Sequence, residues 1–493
     1  MDAGTGPSPR YDAKLLINGE LIDSPERIEV TNPARPAQIV GSIVRGRPQD
    51  VDAAVQAAQT AQLRWASKTY KERAAFLAQG LDFLGTEIEA RALCYVRENG
   101  KTLGEARSEL AGLPARQKIA LSYAEELDAG RHLTMPNGRS QILYRPYGVV
   151  VSIVPWNSPV SLAFSQIVAA LLAGNAVVLK PPETCPLTLI LSVEIFARAL
   201  PPGLVNIVTG LPGEIGDALT THPGVGKIGF TGSIASARHI MANAAQTIKG
   251  VTLELGGNDP ALVLKDADLS EKSIRTMAAA AYRMTGQVCM AIKRIYVPGA
   301  MADQFTELFT KAAGALVVGD GVEPEVTMGP LHTRRALERA QALVEEAERG
   351  GGQVAACGQV HDAGVFADGY FMRPTVVFKP REDARLVTEE QFCPAVPILT
   401  YDDRDEVLAR MNDTVYGLSA SIWSSDTERA MQLASRIAAG QVWINAHGTQ
   451  ATNHLAPYGG VKQSGIGRKS GFEGVLEYMQ SQTVTAWEDD AVT

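Results

Sequence analysis

The stretch MTGQVCMAIKR, Met284 to Arg294, sets one of only five cysteines in a 493-residue chain between a Gly-Gln turn and two cationic side chains. A thiol in such a place can fill a core, bind a metal, form half of a disulfide or act as a nucleophile. Nucleophilic use demands the thiolate. At a reference pKa of about 8.5 only a few per cent of a cysteine is ionised at neutral pH, so an electropositive setting has to be supplied. The other cysteines, at 94, 185, 357 and 393, form no CxxC pair, and the seven histidines show no HxxxH spacing. Neither a zinc site nor a disulfide framework is expected, and a reducing cytoplasm is the simplest home.

Further stretches put polar types where apolar runs end. VPWNSP (Val154 to Pro159) brings Trp156 and Asn157; LKPPET (Leu179 to Thr184) brings Lys180 and Glu183; LELGGND (Leu253 to Asp259) brings Glu254 before two glycines; TEEQFCPAVP (Thr388 to Pro397) brings acids and an aromatic. FTGS, Phe230 to Ser233, follows one apolar run and opens a helical one, so its serine can cap the helix or meet a phosphate. GVGKIG at 224–229 satisfies G-x-G-x-x-G by letter, but its glycines precede a strand instead of following one, and no phosphate cradle is expected there.

These residues need elements to hold them. From about Gln49 to Ala129 apolar residues recur at three- and four-residue spacing, which predicts helices. From Gly148 to Leu255 short β-rich runs (GVVVSIV, AVVLK, VNIV, KIGF, VTLEL) alternate with helix-length stretches. Strands this apolar are buried on both faces, so a parallel sheet covered by helices is expected, with ligands at the carboxyl ends of its strands. A second α/β rhythm runs from PALVL to GQVWIN, which predicts two α/β domains with a cleft between them. The opening MDAGTGPSPRYDAK reads as a disordered tail without an apolar signal core. The closing QTVTAW reads as an edge strand without a sequence neighbour, of the kind that pairs with another subunit. A net charge of −8 without a dense Lys/Arg tract argues against nucleic acid or acidic membrane as the main partner. No apolar run approaches the roughly 18–20 residues of a membrane span.

PWN, KPPE, FTGS, ELGG, GQVC, EEQF and PYGGVKQSGIGR (Pro457 to Arg468) follow one another over roughly residues 150–471. In that order they resemble the NAD(P)-dependent aldehyde dehydrogenase superfamily. The resemblance implies an α/β fold with a Rossmann-type NAD-binding domain (1–128 and 148–254), an α/β catalytic domain (255–455) and a small β bridging region for oligomerisation (129–147 and 470–493). It implies a homodimer or homotetramer, an aldehyde as substrate, and no metal. Cys289 would attack the aldehyde, in the electropositive setting of a nicotinamide ring; Asn157 and the Cys289 N–H would hold the oxyanion; Glu254 would activate water against the thioester. Lys180 and Glu183 would bind the adenosine ribose, where a carboxylate repels a 2′-phosphate and so favours NAD over NADP. Gly232 and Ser233 would meet the pyrophosphate, Glu390 the nicotinamide ribose and Phe392 its ring, with Val154, Trp156 and Leu255 along the cleft.

The chain also departs from the family pattern. Ala237 replaces a glycine after FTGS, Cys393 follows EEQF where glycine is common, and Lys469 follows GIGR where an acid is common. Along the expected substrate tunnel (Ser158, Leu162, Ser165, Arg283, Val288, Met290, Thr452 and Tyr458), serines at 158 and 165 stand where large rings are frequent. Their small size would widen that wall by on the order of 100–200 Å³. Arg283, six residues before Cys289, stands where an aromatic often lines the mouth. A bulky or aromatic aldehyde is expected, with Arg283 either meeting a polar or anionic group or pointing into solvent. The rival readings are a CoA-acylating semialdehyde dehydrogenase, which commonly lacks the acid at the Glu254 place, an esterase, and a non-catalytic protein on the same fold.

Overall fold

Val149–Ile153, Ala176–Lys180, Val205–Ile207, Lys227–Thr231 and Gly250–Glu254 are strands rich in Val, Ile and Leu. In the computed structural model, which describes residues 10–487, they pair in parallel with Val149–Ile153 at the centre. Their side chains are buried on both faces because helices such as Pro48–Ala66 and Pro159–Leu172 cover the sheet. The expected βα alternation is therefore present. The chain runs outward in one direction from Val149–Ile153 through the next two strands, then in the other through the last two. That reversal opens a crevice at the carboxyl ends of Val149–Ile153 and Lys227–Thr231, immediately before the loops that carry Asn157 and Ser233.

The second sheet has seven strands, with Pro260–Val263 and Arg294–Pro298 at its middle. Gly256 and Gly257 carry the chain from the end of the first sheet into it, and the Cys289 loop enters Arg294–Pro298. Side chains from the two sheets therefore meet between them.

Three sequence expectations need correction. The N-terminal stretch is not a tail throughout: Tyr11–Ala13 pairs with Arg35–Val44, and Leu15–Ile17 joins the first sheet beside Val205–Ile207. Residues 1–9 of that tail lie outside the described residues. The C-terminal strand Met479–Trp487 has a partner in its own chain, pairing antiparallel with Gly138–Pro146 over its whole length. With Arg131–Met135 these form a separate three-stranded sheet in which Met479–Trp487 keeps one open edge. The helix Gly471–Leu476, grouped with this sheet on sequence, instead packs Phe472, Val475 and Leu476 into the core of the first sheet. Residues 488–493 of that grouping lie outside the described residues. Among the described residues, no helix is long and apolar enough to cross a membrane.

Candidate active site

The helix Glu271–Tyr282 ends in a tight turn, Arg283–Gly286, where Met284, Thr285 and Gly286 take left-handed backbone angles of φ 50°, 60° and 71°. Such angles cost non-glycine residues about 1–2 kcal/mol each, so the surroundings must impose them. They do. The Met284 N–H donates to Glu105 Oε1 (2.8 Å), Thr285 Oγ1 donates to the Gly329 carbonyl (3.0 Å), and the Gln287 N–H donates back to the Met284 carbonyl (3.0 Å). At Gly286 a Cβ would lie 2.3 Å from the Cys393 carbonyl oxygen. Gly286→Ala is therefore expected to destabilise the protein by about 3 kcal/mol or more and to displace the Cys289 loop. Chemical denaturation, together with the rate at which Cys289 is alkylated, checks both effects.

Cys289 follows this turn. Below it Lys293, a buried lysine, donates from Nζ to the Val288 and Cys289 carbonyls (2.8 and 2.7 Å) and so holds the loop's backbone. The Cys289 N–H has no hydrogen-bond partner among the described residues. Asn157 approaches from the first sheet. Its Nδ2 donates to the Gln287 carbonyl (2.9 Å), which leaves the second N–H of that amide free, and its Oδ1 is buried without a partner. Asn99 steadies the same loop by donating to the Trp156 carbonyl (2.7 Å). One free donor thus lies on the backbone of the thiol's own residue and another on a side chain tied to the same loop, an arrangement suited to a developing oxyanion.

Glu254 ends its strand buried, 3% exposed, with Oε1 unpartnered and Oε2 3.8 Å from Lys469 Nζ. Burial pushes its carboxyl up to about 7, against the pull of the Lys469 and Arg468 charges. An acid so placed is poised to exchange a proton near neutral pH. Burial also pushes the Cys289 thiol up to about 11; Lys293 opposes this, while Glu254, Glu390 and Asp259 add to it. The protein's own charges therefore do not supply the electropositive setting that the sequence calls for. The buried Tyr458 faces the same thiol, and burial followed by the negative charges of Cys289, Glu254 and Asp259 raises its phenol far above the ordinary range.

The crevice residues suit a dinucleotide. The helix Ile234–Ala245 starts there with exposed Ser233 as its cap (Ser236 N–H to Ser233 Oγ, 3.1 Å), and Gly232 lies against the Phe230 ring, which a Cβ would meet at 2.5 Å. Ala237, at the departure from the family pattern, is buried on the inner face of that helix, where its methyl does not obstruct the approach. Lys180 is buried at the end of its strand with Nζ 3.3 Å from Glu183 Oε2, and Glu183 remains half-exposed at the rim. Glu390 reaches in over two glycines: the Gly257 N–H donates to its Oε1 (3.0 Å), and a Cβ at Gly256 would fall 2.2 Å from its Oε2. Phe392 stands edge-on to Trp156 (5.8 Å), whose other face stacks on His332 (4.2 Å). Val154 and Leu255 are buried beneath. Cys393 is not a second thiol of the crevice: it lies in the core cluster with Leu331, Leu337 and Leu386, its thiol pushed up to about 12 by burial.

Arg283, Val288 and Met290 line a cavity of about 160 Å³ together with Ala279, His447 and Gln450. Thr452 borders it through Met290 Sδ (4.0 Å). Ser158, Leu162 and Ser165 lie outside that lining; the Met284 sulfur closes on Ser158 Oγ (3.7 Å), and Ser165 Oγ turns back to the Leu162 carbonyl (2.8 Å). The Arg283 guanidinium makes no hydrogen bond or ion pair with any described residue. Arg116 stands near enough for the Arg283 charge to add to the effect of burial in holding its guanidinium below the ordinary range.

Sequence reasoning misses Lys293, Gln287, His332 and Arg116. Lys293 stands in the cationic run after the cysteine and Gln287 inside GQVC, both visible signals, but His332 and Arg116 sit in a loop and a helix without a motif.

A model of the aldehyde dehydrogenase family matches residues 22–484. The chain is 34% identical over 481 residues to the succinate-semialdehyde dehydrogenase (NADP+) GabD of Escherichia coli K12, covering 95% of this chain and 97% of that protein. Its fold matches an aldehyde dehydrogenase from Brucella melitensis biovar abortus 2308 with a TM-score of 0.91 and 33% identity, over 99% of this chain and 100% of that one. It matches a betaine aldehyde dehydrogenase from Staphylococcus aureus in complex with NAD+ at a TM-score of 0.91 and 30% identity, over 97% and 95% of the two chains. With a family match across nearly its whole length and a fold shared with solved aldehyde dehydrogenases, the chain belongs to the aldehyde dehydrogenase family.

Proposed function

We propose that Cys289, Asn157 and Glu254 are the catalytic groups of a hydrolytic, NAD-dependent aldehyde dehydrogenase that takes a bulky aldehyde bearing a polar or anionic group. Cys289 sulfur attacks the aldehyde carbon, and the Asn157 amide and the Cys289 N–H hold the oxyanion. A nicotinamide cofactor held by Lys180, Glu183, Ser233 and Glu390 would supply the acceptor for the hydride that leaves that carbon. Glu254 takes a proton from the water that attacks the resulting thioester, the C–S bond breaks, and the acid leaves with the thiol restored. The presence of Glu254 favours water over CoA as the acyl acceptor.

The choice of cofactor rests on Glu183, whose half-exposed carboxylate at the crevice rim disfavours a 2′-phosphate. The relatives' names carry both cofactors, NADP+ for GabD and NAD+ for the staphylococcal enzyme. The three-stranded sheet with its open edge supports a homodimer or homotetramer, and the five free cysteines fit a reducing cytoplasm.

The observation that carries the substrate reading is the unpaired Arg283 guanidinium on the wall of the cavity beside Val288 and Met290. The cavity has room for on the order of ten waters, and Arg116 is a second cation close enough to Arg283 for the two charges to interact. Arg283→Ala is expected to lower kcat/KM for carboxylated aldehydes by roughly 10–100-fold, the cost of losing a charge-assisted hydrogen bond, while sparing uncharged aromatic aldehydes. Initial rates over a panel of aliphatic, aromatic and carboxylated aldehydes, with NAD or NADP and with or without CoA, test the whole reading. An equal effect of Arg283→Ala on every substrate would sink the anionic part. A requirement for CoA would move the protein to the acylating branch.

A further inference from the structure

Glu254 is faced by groups from several separate parts of the chain, and one of its neighbours is a buried cation whose position is locked twice over. The strand Gly250–Glu254 pairs antiparallel with Gly465–Ile466, setting Glu254 opposite Gly465. The chain then turns through Gly467 and Arg468 to Lys469. The Lys469 N–H donates to the Tyr458 carbonyl, and the Tyr458 N–H donates to the Lys469 carbonyl, each at 2.6 Å. The Lys469 side chain is buried, 7% exposed, and its Nζ donates to Thr231 Oγ1 (2.8 Å) while lying 3.8 Å from Glu254 Oε2. One short clasp thus fixes Lys469 to the tyrosine that faces Cys289, and the ammonium itself lies against the acid.

The groups that face Glu254 are Lys469 and Arg468 from this segment, Tyr458 across the clasp, Cys289 from its own loop and Tyr478 from beyond the strand. Cys289, Tyr458 and Tyr478 are neutral or negative and cannot favour a carboxylate. Arg468 spends a guanidinium nitrogen on the Gly460 and Gly467 carbonyls (3.1 and 2.8 Å). Lys469 is the buried cation with an ion-pair distance to the acid. A buried carboxylate without a cation stays protonated, and a protonated acid cannot accept a proton from water.

We propose that Lys469 is the positioning residue of the hydrolytic half-reaction: its ammonium holds Glu254 as a carboxylate and so sets the pH at which the acyl-enzyme is released. The inference rests on Glu254 being the base. In the step it governs, water oxygen bonds to the thioester carbon, one water proton passes to Glu254, and the C–S bond breaks with its electrons on Cys289. The lysine gives up no proton in this scheme; its charge acts on the acid.

The test isolates hydrolysis. p-Nitrophenyl acetate acetylates Cys289, the burst of p-nitrophenol shows that the thiol site is folded, and mass spectrometry follows loss of the acetyl group against pH. In the wild type the loss is expected to switch on near pH 7, where Glu254 titrates. Lys469→Met is expected to raise that midpoint by about one pH unit and to slow the loss about tenfold at neutral pH, with the burst retained. Lys469→Arg restores the wild-type midpoint. An unshifted midpoint in Lys469→Met overturns the proposal, whether or not the rate falls uniformly at every pH. Should Lys469→Met give no burst, Lys469→Gln is read by the same criterion. Glu254→Gln, run beside them, separates the two ideas: if it deacetylates like the wild type, Glu254 is not the base and the proposed function fails instead.

Discussion

Cys289→Ser is expected to lower kcat for aldehyde oxidation by on the order of 10⁴-fold or more and to abolish the initial burst of reduced cofactor. The effect is large because every later step passes through the bond this sulfur makes. Serine is close to isosteric with cysteine, and the backbone that positions residue 289 is held by Lys293 through the Val288 and Cys289 carbonyls, so the fold and the cavity should survive. What is lost is nucleophilicity: a hydroxyl ionises far less readily than a thiol, in a site where burial already pushes the thiol up to about 11. Stopped-flow absorbance of the reduced cofactor checks burst and steady state together, and an unchanged thermal midpoint shows that the loss is chemical.

Glu254→Gln is expected to separate the two halves of the reaction. The burst should remain, because sulfur attack and oxyanion support use Cys289 and Asn157, while steady-state kcat falls by roughly 10²–10⁴-fold for want of a base. The same substitution has a stability consequence of opposite sign. The Glu254 carboxyl is pushed from its ordinary 4.5 up to about 7 by burial. Between those values the folded protein holds more protons at this site than the unfolded chain does, so stability falls as pH rises through that window. Glutamine cannot ionise and escapes this. At pH 8 the variant is expected to be more stable than the wild type by on the order of 1–3 kcal/mol, and at pH 4 the gain should vanish. Urea denaturation at the two pH values measures it.

Much of this was legible from local pattern. The run of apolar strands from Val149 to Glu254 predicts a buried parallel sheet because no other arrangement hides both faces of such strands, and the structure has that sheet. Ligand-facing types at strand ends (Asn157, Lys180, Glu254) are visible because each apolar run stops on them. The N-terminal strands were only partly legible. Tyr11–Ala13 is three residues long and pairs with Gly41–Ile43, and Leu15–Ile17 meets Ile207 far along the chain, so neither pairing shows in a local pattern. The hairpin from Leu15–Ile17 to Glu20–Ile22 did carry a local signal, the Asn18-Gly19 turn, and the sequence reading passed over it. The mate of Met479–Trp487 is likewise more than three hundred residues upstream, beyond the reach of any periodicity. Lys469 shows the same limit within the site: the sequence marks it as unusual, and only the fold brings it to within 3.8 Å of Glu254. The charge balance around Cys289 is also a property of packing, since Glu390 and Asp259 reach it from different loops.

The central claim is a thioester on Cys289 hydrolysed by Glu254, and the measurement that tests it most directly is the mass of Glu254→Gln protein after incubation with an aldehyde and NAD, without CoA. Oxidation of a thiohemiacetal to a thioester removes two hydrogens. The account predicts a gain equal to the aldehyde less two hydrogens, mapped by peptide digestion to Cys289, with about one reduced cofactor formed per chain. Rapid turnover without any adduct, or an adduct on a cysteine other than Cys289, would contradict it.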